Sequence, residues 1–198
     1  HNNTFDSTLL TKISQSCSRQ MDSLYNWGMN NNFREQSFIV VKKGDSIYSK
    51  NFLLGNLSGD MTRVNYLLDV GETLLAFGHT HAEDTVGYYR TSFSPEDLIE
   101  FNKNANVVGY TALLEVGNAR YAIVIENVQK KTVFNIGKRG NHRRYLNEVL
   151  SSLTNQIPNG QIRTEKALVQ YLGSASESGI GFYKATYPNK NHFTKLNP

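Results

Sequence analysis

The chain is poor in residues that staple or punctuate a fold: one cysteine, one tryptophan and four prolines in 198 residues. A single thiol, Cys17, excludes an internal disulfide and any metal cluster built from several cysteines. Long apolar runs are missing as well. None approaches the ~20 residues that cross a bilayer, so no membrane span is expected. Charge is sparse at 19%, and 21 basic against 17 acidic residues leave a formal net charge of +4. The basic residues are scattered. Their densest stretch, Lys138-Arg139 with His142-Arg143-Arg144, has no interleaved aromatic platform and no recognised nucleic-acid motif. It reads first as a solvated loop and helix start, with an anionic partner as the lesser reading. No nucleic-acid partner is expected.

Tyrosine and phenylalanine, 11 and 10 in number, offset a modest hydrophobic share of 39%. At this length a core large enough for one independent domain is within reach. The chain starts at His1, as a processed mature form or a trimmed piece would. That leaves the compartment open between a secreted or periplasmic protein and a cytoplasmic one.

From Asp6 to about Asn26, the residues Leu9, Leu10, Ile13, Cys17, Met21, Leu24 and Tyr25 recur at helical spacing. Asp6 and Ser7 are the candidate caps, and Gly28 with Asn30–Asn32 is expected to break the helix. Two strand-like runs, Ser37–Lys42 and Ser46–Ser49, flank Lys43-Gly44-Asp45, where Gly44 suits a tight hairpin. Asn51–Asp60 reads as loop. Thr73–Gly78 has the length of a buried central strand and runs directly into His79. Ser94-Pro95-Glu96-Asp97 opens a helix, with Ser94 at the cap and Pro95 at the first position, where its missing N–H is not needed. Strands at Val107–Val116 and Arg120–Glu126 enclose a second hairpin. Helices over Arg143–Leu153 and Thr164–Gly173 and a last strand, Ile180–Thr186, complete an α+β pattern with a largely antiparallel sheet.

His79-Thr80-His81 lies where the buried strand meets a loop. Alternate side chains of a strand share a face, so the two imidazoles can enter one site. Two neutral imidazoles and a third ligand from Asp97, leaving one position open, suit a catalytic Zn²⁺ site. The plainer reading is a surface histidine pair. Cys17 with His79 or His81 as base would suggest a thiol hydrolase, but Cys17 sits on the apolar stripe of the first helix, where buried thiols are inert. His142 and His192 read as surface residues, and Asp45 and Asp60 as turn residues.

Gly78-His79-Thr80-His81 followed by Ser94-Pro95-Glu96-Asp97 resembles the His-x-His, spacer, Ser-x-x-Asp pattern of the JAB/JAMM (MPN-type) metallopeptidases. Arg34-Glu35-Gln36-Ser37-Phe38 is similar to the stretch opening the first strand of the bacterial RadC-like branch. The resemblance covers about residues 33–126, with an N-terminal helix in 1–32 before it and a strand and helix extension in 127–198 after it. It implies a cytidine-deaminase-like JAB/MPN fold, its mixed, mainly antiparallel sheet flanked by helices. It also implies a zinc-dependent hydrolase that cleaves a peptide or isopeptide bond of a peptide or protein substrate with a metal-activated water. His79, His81 and Asp97 would hold Zn²⁺, Glu35 would be the proton shuttle, and Ser94 would donate to the oxyanion. The alternative is an inactive relative kept as an interaction module of a larger or secreted bacterial protein.

The sequence departs from the family at Ala82, where proline is common, and in a longer spacer, Ala82–Phe93. Within it Glu83–Arg90 would either form a substrate-facing flap made mobile by Gly87 or distort the site, with Tyr88 and Tyr89 either packing or meeting substrate. Glu72 is the competing base, but it would lie ~20 Å from His79, at the other end of the strand.

Overall fold

A computed structural model of the chain describes residues 5–31, 34–55, 64–81, 92–138, 142–157, 159–173 and 175–198. The expected inserted flap, with Tyr88 and Tyr89, and Asp60 lie outside these residues, as do residues 139–141 of the basic stretch.

The elements, in order, are α1 (Ser7–Asn30), β1 (Gln36–Lys43), β2 (Ser46–Leu54), β3 (Thr73–Thr80), α2 (Pro95–Asn104), β4 (Thr111–Glu115) and β5 (Ala119–Ile125). They continue as α3 (Val128–Lys138), α4 (His142–Leu153), α5 (Gly160–Leu172), α6 (Ala175–Ser178), β6 (Ile180–Thr186) and β7 (Thr194–Leu196). The fold is α+β. Seven described strands form one open sheet in the order β2-β1-β3-β4-β5-β6-β7. Every neighbouring pair is antiparallel except β3 and β4, which run parallel across the α2 connection. Among the described residues no helix is long and apolar enough to cross a membrane.

Strand alternation divides the buried side chains between the two sheet faces. One face carries Phe38, Val40, Ala76, Leu113, Ala122 and Val124, covered by Leu10, Ile13, Cys17 and Met21 of α1. The other carries Ile39, Phe77, Leu114, Tyr121, Ile123 and Phe182, covered by α2, α4 and α5 through Leu98, Phe101, Leu146 and Leu168. Cys17 is buried on the α1 stripe as expected, and desolvation pushes its thiol up to about 12.

Asp6 caps α1 by accepting from Thr8 N–H at 2.9 Å. The helix runs through Gly28 to Asn30 rather than breaking there. The returning chain explains why glycine is needed: a Cβ at position 28 would stand 2.4 Å from the Arg34 carbonyl oxygen. Gly78 has a similar role in β3, where the Phe38 ring covers it and a Cβ would meet Phe38 Cζ at 2.3 Å. Gly78→Ala is therefore expected to destabilise the protein by ~1–3 kcal/mol through overpacking, as read from a denaturant midpoint.

Several boundaries differ from expectation. Asn51–Leu54 belongs to β2, not to a loop; Asn51 takes a positive φ of 58° inside the strand, and Asn51 Nδ2 donates to the Asn65 and Leu67 carbonyls. β4 begins only at Thr111, because Gly109 turns the chain with a φ of 88°. α3, α6 and β7 are additional elements. His142 is buried, not on the surface: its ring nitrogens meet the Tyr171 hydroxyl and Asn102 Nδ2.

Candidate metal centre

The site forms where the outgoing end of β3 meets the incoming end of β1 and the N-terminus of α2. His79 lies inside β3 and His81 one residue beyond it. The strand continues past its regular end because His81 N–H donates to the Glu115 carbonyl at 3.0 Å, prolonging the parallel ladder with β4. Both histidines thus point to the α2 face, two residues apart. His79 is 5% and His81 4% exposed, which takes them out of the surface-pair reading. The His79 ring packs between Phe77 and Phe93, with centroids 6.2 and 6.3 Å away. Among the described residues its Nδ1 has no hydrogen-bond partner, so on that side ring packing rather than a hydrogen bond holds the imidazole.

Asp97 arrives through helix capping. Ser94 Oγ accepts from Asp97 N–H at 3.2 Å, and Asp97 Oδ2 accepts from Ser94 N–H at 2.7 Å. This reciprocal capping box satisfies two of the free donors that every helix start exposes. It also steers the remaining carboxylate oxygen, leaving Asp97 Oδ1 3.1 Å from His79 Nε2. His81 Nε2 is 3.0 Å from His79 Nε2 and 3.5 Å from Asp97 Oδ2. One donor atom from each of His79, His81 and Asp97 lies within 4.8 Å of the other two, and this group could hold a metal ion.

Three acceptor atoms crowded in a buried space repel unless something positive stands among them. The three groups also shift one another. Burial pulls His79 down, but the Asp97 carboxylate outweighs it and the imidazole is raised overall. Burial likewise pushes Asp97 up, yet the facing His79 and His81 rings and the Ser94 amide hold it well below the usual range. A single proton on His79 Nε2 cannot be directed at both Asp97 and His81. A cation at the centre satisfies all three.

Glu35 precedes β1, its carbonyl accepting from Gly55 N–H at 2.7 Å. Its Oε1 stands 3.8 Å from His81 Nε2, beside the trio but outside it. Glu72 is engaged elsewhere: it accepts from the Tyr48 hydroxyl, from Lys50 Nζ at 2.7 Å and from Asp69 N–H at 2.7 Å. Lys50, Tyr48 and that amide hold its carboxyl down at about 2. Ser37 and Phe93 were not singled out from sequence. Ser37 directly opposes His79 in the β1–β3 register and so shares its face. Strand alternation from Glu35 could have found it. The position of Phe93 against His79 has no local signal.

Ser94 is the cap that adjoins the trio through Asp97. A hydroxyl accepts and donates together, so accepting from Asp97 N–H leaves its own O–H to give. Ser94→Ala is expected to cost ~1 kcal/mol of stability through the lost cap, measured by urea unfolding.

No family model, no curated protein and no solved structure matches this chain.

Proposed function

We propose that this protein is a zinc-dependent hydrolase of the JAB/JAMM type, related to its bacterial RadC-like branch, cleaving a peptide or isopeptide bond. One observation carries the reading: two buried imidazoles and a capping-box carboxylate converge on a point, with a further carboxylate, Glu35, beside them but not among them. A structural zinc site closes on four protein ligands, whereas a catalytic one has three and an open place. The separations support Zn²⁺. Bonds of ~2.0–2.1 Å arranged tetrahedrally put ligand atoms ~3.3 Å apart, close to the 3.0, 3.1 and 3.5 Å here. The sheet order, with its parallel β3–β4 pair joined through α2, supports a JAB/MPN core in residues 33–126. To that core α1 would be an addition before it, and residues 127–198 an addition after it.

When bound, the ion supplies Lewis acidity, bringing the pKa of water toward ~7 and polarising a carbonyl. Glu35 Oε1 takes a proton from the attacking water and delivers it to the amine nitrogen as the C–N bond breaks. Ser94 Oγ–H donates to the oxygen that becomes negative on the attacked carbon. Asp97 Oδ2 stays on the Ser94 amide, which fixes the carboxylate throughout. Phe77 and Phe93 line His79 with apolar surface, which strengthens every charge interaction nearby.

The test is a proteome-derived peptide library incubated with zinc-loaded protein, read for new amino termini by mass spectrometry. New termini that vanish on adding EDTA and return with Zn²⁺ are expected. Zinc bound without cleavage would favour a non-catalytic interaction module instead.

A further inference from the structure

We propose that Glu115 is the positioning residue for the ligand His81, acting through its main chain while its own side chain lies on the opposite face of the sheet. The inference rests on reading His79, His81 and Asp97 as a metal site. Glu115 is the last residue of β4, paired with Thr80, and its carbonyl receives the His81 N–H at 3.0 Å. That bond extends the ladder past the end of β3, where strands otherwise fray. Whatever holds Glu115 therefore holds His81.

What holds Glu115 is out of proportion to a strand end. Its carboxylate is fully buried on the α1 face, where Arg120 Nε donates to Oε2 at 2.8 Å and Lys190 Nζ to Oε1 at 2.5 Å. Arg120, directly opposite in the β4–β5 register and also fully buried, continues to Ser14 Oγ at 2.9 Å and Ser18 Oγ at 3.0 Å on α1. It also donates to Asn191 Oδ1 at 2.9 Å in the turn before β7. Lys190 donates further to Asp22 and to the Gly117 carbonyl. Three segments far apart in sequence are thus clamped to one carboxylate at the back of the site. Taking ions out of water is costly, and such a cluster does not guarantee greater stability than apolar packing would give. It does specify one backbone position, and that position receives the His81 amide.

Co²⁺ serves as the probe, because its ligand-field absorption reports the geometry of the bound site. Parent, Glu115→Gln and Asp22→Asn proteins spanning residues 1–198 are titrated with Co²⁺ well below their unfolding temperatures. Asp22 is a half-exposed member of the same cluster without a main-chain bond to His81. The parent and Asp22→Asn should give the same spectrum, while Glu115→Gln shifts it and binds ~10–100-fold more weakly, the usual effect of an outer-shell partner. Should Glu115→Gln not fold, Lys190→Met, which frees Oε1 but keeps the Arg120 pair, should shift the spectrum in the same direction. An unchanged spectrum and affinity in a folded Glu115→Gln or Lys190→Met protein that has merely lost thermal stability overturns the positioning role and leaves the metal site standing. A parent that takes no Co²⁺ overturns both.

Discussion

Glu35→Gln is expected to keep its zinc and lose hydrolysis by ~10²–10⁴-fold, the range associated with a positioned general acid–base. The substitution is nearly isosteric and preserves the main-chain bond from Gly55, so the start of β1 should not move. A neutral amide cannot take a proton from water, so the loss should fall on kcat with KM little changed. Zinc content separates the two roles a carboxylate 3.8 Å from His81 could play. If the variant binds zinc as the parent does, Glu35 is a proton carrier. If it loses zinc, Glu35 is a fourth ligand and the site is closed rather than catalytic.

The second large effect is expected at Asp97. Asp97→Asn removes the charge and turns the remaining carboxylate-like atoms to two incompatible tasks. One end must accept from Ser94 N–H, as Oδ2 does now at 2.7 Å. The other would then present an amide N–H where Oδ1 faces His79 at 3.1 Å. Zinc affinity, measured by competition with a chromogenic chelator, should fall by more than the ~10–100-fold of an outer-shell change. Helix α2 should keep most of its cap, so stability of the metal-free protein changes much less than affinity. Ser94→Ala gives the reverse pattern, a lost cap with the ligand set intact. Equal losses of affinity in the two variants would make the Ser94 hydroxyl as necessary to presenting Asp97 as the carboxylate charge itself, and would contradict this separation of cap from ligand.

The features legible in the sequence are those written locally. The capping box needs only Ser94-Pro95-Glu96-Asp97, and the shared face of His79 and His81 needs only strand alternation. The stripe of Leu10, Ile13, Cys17 and Met21 on α1 follows from helical spacing, and each of these residues is buried. The rest depends on contacts between distant segments. Gly28 lies inside α1 because the Arg34 carbonyl passes against it, which no window around Gly28 contains. His142 is buried by Tyr171 and Asn102, each from another helix. Lys131 of α3 is buried because its ammonium donates to the Asn102 and Ala105 carbonyls at the end of α2, a use no apolar periodicity announces. Glu115 and Arg120 face each other across a short hairpin, but Lys190 and the α1 serines that complete their cluster lie far away in sequence, so no local window shows that these charges are buried.

The convergence of His79, His81 and Asp97 on one ion is tested most directly by anomalous diffraction from zinc-loaded crystals, collected on both sides of the zinc absorption edge. A single strong peak is expected ~2.0–2.2 Å from His79 Nε2, His81 Nε2 and an Asp97 carboxylate oxygen. No peak at that point, or a peak that shares only one of the three residues, contradicts the metal centre and the hydrolase reading built on it.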